Sequence, residues 1–202
     1  ILACQQLFTE NTLTAVLPVM SKLTLNNVGR LLRLWGVVLC GNLAGTLLVA
    51  WVMLRLPIFD TQTDLAFLEI GRKVMENDVS KMLAKGIVSG WMIATMVWMI
   101  ASMESAKIAI IVMITYLMAL GDFTHIVVGS VEVSYLVYAG EVSWGDFWLL
   151  FAGPTLAGNI IGGSFIFALI SHAQIRSERD VIAKRERDKH KLLEELRRNR
   201  KD

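Results

Sequence analysis

Across 202 residues the chain is 54% hydrophobic with a mean hydropathy of +0.53, more apolar than a soluble domain of this length needs. The formal charge of +2 splits into a tail, residues 171–202, with 11 basic and 7 acidic residues, and a body with 9 and 11. The tail mixes both signs and has no aromatic residue to stack on a base, which argues against nucleic acid as a partner and leaves the lipid bilayer as the body's expected surroundings.

Residues 1–4 read as the end of a helix. The chain opens at Ile1 without a Met or a signal-peptide n-region, so earlier chain is expected before it. Residues 5–11 form a polar break and residues 12–20 a short apolar segment. Residues 21–33 read as a loop carrying Lys22, Arg30 and Arg33. Residues 34–56 make a full span, long enough for a bilayer core. Residues 57–85 are a mixed loop whose middle suits a surface helix, and residues 86–103 are the next span. Residues 107–138 are again apolar, but too long for one span and broken at Gly121-Asp122-Phe123-Thr124-His125. A short turn with Glu141 leads through Asp146-Phe147-Trp148 into a last span ending near residue 170. Cys4 and Cys40 read as buried, inert thiols, with no disulfide framework or metal spacing.

Alternating the sides puts 15 Lys and Arg with the tail and four on the opposite face, so the tail is expected to be cytoplasmic. Trp35, Trp51, Trp144 and Trp148 fall near span ends, where an aromatic belt lies. The tail has favourable i,i+4 pairs, Asp180 with Lys184 and Glu194 with Arg198, and reads as a charged cytoplasmic helix beyond a membrane domain at residues 1–170.

Backbone can leave the helix at mid-bilayer only where it is buried in protein or lines a cavity. An ionisable residue at that depth, here His125, is a functional candidate. The break has a counterpart: Leu7-Phe8-Thr9-Glu10 resembles Asp122-Phe123-Thr124-His125. Each is followed by a span with Gly-Asn-x-x-Gly, at Gly41-Asn42 to Gly45 and Gly158-Asn159 to Gly162. Three spans per unit require two copies of opposite topology, and paired broken helices place a permeation site at the midplane between them. Gly41, Gly45, Gly158 and Gly162, with Asn42 and Asn159, suit close helix packing.

These stretches together resemble the formate/nitrite transporter family. Leu7-Phe8-Thr9 is similar to the loop that interrupts its second helix, and Gly41-Asn42-Leu43-x-Gly45 to the core of its third. Phe123-x-His125 resembles the second break with its central histidine, and Gly158-Asn159-Ile160-Ile161-Gly162-Gly163 the last-helix motif. Lys107 matches a lysine that opens the fifth helix. The resemblance covers residues 4–170 and implies an all-α, aquaporin-like six-helix inverted-repeat bundle. Its first helix and part of the second would lie before Ile1. It also implies a homopentamer in a bacterial inner membrane, one pore per protomer, and formate, nitrite or hydrosulfide as cargo. Departures mark a divergent branch: Gly129 and Gly90 stand where the family often has Asn, Thr124 where it commonly has Glu, and Asp122 and Glu132 are extra acids.

The pathway residues this implies are His125, Thr9, Thr124, Leu7, Phe8, Lys107, Gly90 and Gly129. Thr9 and Thr124 offer hydroxyls to an anion, and Leu7 and Phe8 an apolar gate. His125 offers one N–H when neutral and two when protonated, and a proton from it would let an anion cross as its neutral acid. The plainer reading is a structural histidine bonded to Thr9 or a carbonyl. No phosphate loop, metal cluster or Ser-His-Asp set points to an enzyme or a cofactor. A pore for neutral solutes and a membrane scaffold with a partner-binding tail are the rival readings.

Overall fold

The computed structural model describes residues 7–16, 19 and 22–166, the side chains of Glu104, Phe165 and Ile166 excepted. Cys4, the helix end at residues 1–4 and the charged tail lie outside the described residues. Every regular element among those described is helical. In chain order they are α1 (Phe8–Thr14), α2 (Leu25–Arg55), α3 (Thr61–Met75), α4 (Val79–Ser102), α5 (Lys107–Leu120) and α6 (Ile126–Ala139). The last span runs through α7 (Trp144–Asp146), a π-helical stretch (Phe147–Ala152), α8 (Gly153–Ile160) and a second π-helical stretch (Ile161–Ile166).

Helix starts follow local chemistry. Thr24, Asp60 and Asp78 each accept a hydrogen bond from the backbone N–H three residues on, the usual work of an N-cap side chain. Within the polar break expected at residues 5–11, Leu7 is extended and α1 starts at Phe8, while residues 5 and 6 lie outside the described residues. The loop expected at residues 21–33 is mostly helix, because α2 begins at Leu25. Its 31 residues rise about 46 Å, well beyond a ~30 Å hydrocarbon core, so Arg30 and Arg33 sit on a helical turn that lies past the apolar layer.

Helices α2 and α4 are long and apolar enough to cross a membrane, while α5 and α6 have 14 residues each. α5 and α6 are joined through Gly121–His125, where Asp122 takes a positive φ of 50° and the Phe123 ring lies where a Gly121 Cβ would be, 2.4 Å away. Helix α3 lies on α6. Gly71 brings it within 2.7 Å of the Glu132 carbonyl, measured from where a Cβ would stand, and Tyr135 donates to Asp64 at 3.0 Å.

The span pair α4 and 144–166 is closest of all. A Cβ on Gly162 would lie 1.9 Å from the Ile87 carbonyl, one on Gly158 2.5 Å from that of Leu83, and one on Gly90 2.3 Å from that of Asn159. Gly41 and Gly45 differ: among the described residues outside α2, nothing lies within 4 Å of where a Cβ on either would stand. They are exposed on α2, with no described helix packed against them. Cys40, expected buried, is exposed on the same helix. Trp35, expected in a belt, is half-buried, stacks edge-on against Phe8 at 5.9 Å and donates from Nε1 to the Asn11 carbonyl at 3.1 Å. Trp51, Trp144 and Trp148 are exposed.

Candidate functional site

Two half-helices begin at one buried point. His125 is the N-cap of α6: its Nδ1 accepts from the Val128 N–H at 3.3 Å. Its Nε2 lies 2.8 Å from Oγ1 of Thr9, in the first turn of α1. Both residues are buried, at 5% and 0% exposure. Because Nδ1 accepts, the capped ring carries its proton on Nε2 and donates it to the Thr9 hydroxyl. A proton on Nδ1 would remove the acceptor that caps α6.

The two asparagines of the repeat do the same thing at both ends. Asn42 Oδ1 accepts from Phe8 N–H at 2.8 Å, and Asn159 Oδ1 accepts from Ile126 N–H at 2.9 Å. Each receives the first N–H of a half-helix, one of the donors that an α-helix leaves without an internal partner. Asn159 also donates to the Gly86 carbonyl, Ser89 Oγ and the Thr124 carbonyl, at 2.9, 3.1 and 3.2 Å. Sequence reasoning gave these asparagines to helix packing and missed that they hold the breaks. Their shared Gly-Asn-x-x-Gly setting was the available signal. The repeat also aligns differently at the breaks. Leu7 and His125 are the two N-caps, so Phe8 corresponds to Ile126, three residues from the match with Phe123 that the letters suggest.

A cavity of about 510 Å³ lies beside this point. Leu7, Thr124, His125, Val128, Gly129 and Glu132 reach its wall, with Lys73 of α3 opposite. Four expected pathway residues, Phe8, Gly90, Thr9 and Lys107, are not on it. Phe8 is buried in the core with Val38 and Phe147, Gly90 is pressed against the Asn159 backbone, and Thr9 is behind His125. Lys107 opens α5, a half-helix of about 20 Å away from the break. Thr124 spends its hydroxyl on the Met82 carbonyl at 3.1 Å. At Gly129 the room for a side chain is taken by the Phe151 ring, 2.7 Å from a built Cβ.

Charges near the cavity are partly paired. Lys73 Nζ meets Asp122 Oδ1 at 2.8 Å, so Asp122 pairs with a base and leaves the capping of α6 to His125. Arg72 forms a two-pronged pair with Glu141, at 2.7 Å from Nε and 2.5 Å from Nη2. That pairing, outside the spans, holds the Glu141 carboxyl below its ordinary value and the Arg72 guanidinium above its own. Among the described residues no group of His, Cys, Asp and Glu side chains is arranged to hold a metal ion.

Residues 1–173 match the family model described as formate/nitrite transporter. The chain is 57% identical over 203 residues to inner membrane protein YfdC of Escherichia coli (strain K12), covering 100% of this chain and 66% of that one. It is 27% identical over 192 residues to the uncharacterized transporter YrhG of Bacillus subtilis (strain 168), covering 90% and 70%. It thus spans about two thirds of the length of these relatives. Among solved structures it is similar to a pentameric formate channel with formate bound, with a TM-score of 0.73, 22% identity and coverage of 87% and 76%. At that identity the likeness speaks for the fold alone. The inverted pair of half-helices and the family match over residues 1–173 lead to one assignment: the chain belongs to the formate/nitrite transporter family.

Proposed function

We propose that the chain is a protomer of a homo-oligomeric pore or transporter for small monovalent anions of weak acids, of the formate and nitrite kind, in a bacterial inner membrane. The observation that carries this reading is the junction at His125 and Thr9, where the N-terminus of α6 opens beside a cavity of about 510 Å³. An α-helix N-terminus carries roughly half a positive charge, and at mid-membrane that field lowers the barrier to an anion without any ion of its own. The family match and the formate channel's fold support the cargo class, and the name of that channel supports a pentamer. In this reading residues 1–170 transport, and the tail is a cytoplasmic helix that transport does not need.

One observation favours a second form of the same cargo, the neutral acid. Lys73 is neutralised by Asp122, and the Thr124 hydroxyl already has a protein acceptor. The wall therefore offers a bare anion little beyond the α6 terminus.

The test is uptake of labelled formate and nitrite by liposomes holding the full-length protein, against protein-free liposomes. Uptake is expected, with a chain cut after residue 170 retaining it and His125→Phe losing it. No uptake of formate, nitrite or hydrosulfide at any pH between 5 and 8 would overturn the proposal.

A further inference from the structure

We infer that Glu132, rather than His125, exchanges the proton that lets a weak-acid anion cross as its neutral acid. The inference rests on the transport reading above and names the group that gives this site its selectivity.

Helical spacing sets the geometry. His125, Val128, Gly129 and Glu132 fall at i, i+3, i+4 and i+7, one face of α6, and all four reach the cavity wall. Glu132 therefore stands two turns, about 10 Å, above His125 along the same wall. Val128 and Gly129 stand between them on this face, and Glu132 Oε2 is 3.8 Å from where a Gly129 Cβ would be. The two titratable groups thus share one wall of the cavity, with the Val128 side chain and the Phe151 ring beside the stretch between them.

The two groups differ in availability. Both ring nitrogens of His125 have partners, the Val128 N–H and the Thr9 hydroxyl, and taking up a second proton would undo the cap of α6. The Glu132 carboxyl has no hydrogen-bond or ion-pair partner among the described residues. Other charged groups facing the cavity are Lys73 from α3 and Asp122 from the break, bonded to each other, and His125 itself. Lys85 of α4 acts on Asp122 from outside the wall. Helices α4 and α5 and the last span bring only Ile93, Met96, Ile111, Thr115, Met118, Ala119 and Phe151, none of them titratable. An unpaired carboxyl on such a wall is expensive as an anion and inexpensive as an acid.

The exchange balances. The O–H bond of the Glu132 carboxyl breaks as an O–H bond forms on the cargo oxygen, so Glu132 becomes a carboxylate and the anion a neutral acid. Glu132 then takes a proton from water on the α3 side, for which a cavity of about 510 Å³ has room beside a small cargo.

The experiment reads protons moved per formate moved, with a pH dye inside liposomes and labelled formate outside. Glu132→Gln is expected to lose most of that ratio, because the side chain then has no proton to exchange. Glu132→Asp keeps most of it, Glu69→Gln on the exposed side of α3 leaves it unchanged, and His125→Asn lowers flux without changing it. A carbodiimide that attacks protonated carboxyls should label Glu132 in the unmutated protein, with formate slowing the labelling; this arm needs no variant to fold. A normal ratio in Glu132→Gln overturns the inference, as does a ratio lost only in His125→Asn, or labelling that spares Glu132. An unmutated protein that moves no formate overturns the transport reading instead.

Discussion

Replacing Asn159 with Ala is the sharpest test of how the second break is held. The side chain is fully buried and makes four hydrogen bonds within 3.2 Å. Its Oδ1 is the acceptor for the Ile126 N–H, and Ile126 is 1% exposed, so no water replaces it. A buried donor left without a partner costs about 1–3 kcal/mol. The Thr124 carbonyl keeps the Ser89 hydroxyl at 2.7 Å, so its loss is small. The space of a missing carboxamide adds a further ~1 kcal/mol, giving a total of about 2–4 kcal/mol. Asn42→Ala should cost less, because Asn42 is only half-buried. Thermal unfolding in detergent, followed by tryptophan fluorescence, measures the first effect. Formate uptake measures the second, which should be lost in Asn159→Ala as the start of α6 moves. Equal stability and uptake in Asn159→Ala and the parent protein would refute the reasoning. Asn159→Asp discriminates further: it keeps an acceptor for Ile126 but sets a second oxygen against the carbonyls of Gly86 and Thr124, so it should rescue nothing.

Two other outcomes are expected. Gly162→Ala should destabilise the protein strongly, because its Cβ would meet the Ile87 carbonyl at 1.9 Å, whereas Gly41→Ala should leave the fold of the protomer intact, having open space around it; melting curves in detergent separate the two. Glu141→Gln should lower the melting temperature at neutral pH and low salt. The Glu141 carboxyl is held below its ordinary 4.5, so the contribution is present above that value and disappears as the pH falls beneath it. The melting difference between Glu141→Gln and the parent should close at pH 3 and shrink in 1 M salt. A difference that persists at pH 3 would show that Arg72 is held by something else.

Much of the architecture was legible because bilayer thickness ties span length to composition. The run at residues 107–138 could not be one span, and its break lies where the letters put it, at Gly121–His125. The other break was legible as a polar stretch at residues 5–11, but not the residue at which its helix starts. Its helix starts at Phe8 because a main-chain N–H finds Asn42, a contact 34 residues away that no local pattern displays. For the same reason Phe8 and Gly90 were placed on the pathway: spacing gives the face of a helix but not which neighbour covers it. The start of α2 was missed since Asn26, Asn27, Arg30 and Arg33 look like a loop, though a helix outlasting the apolar layer puts such residues in its first turns. The contact between His125 and Thr9 was foreseen as one of two readings, and the cap on Val128 was not.

Each asparagine closes the break of its own repeat. Asn42 serves Phe8 and Asn159 serves Ile126, while Thr9 and His125 join across the repeats. The first N–H of each half-helix is therefore answered from within its own repeat, whatever the other repeat does. The two halves can thus differ where they touch, a hydroxyl at Thr9 against an imidazole at His125, while each keeps the asparagine that answers its own half-helix.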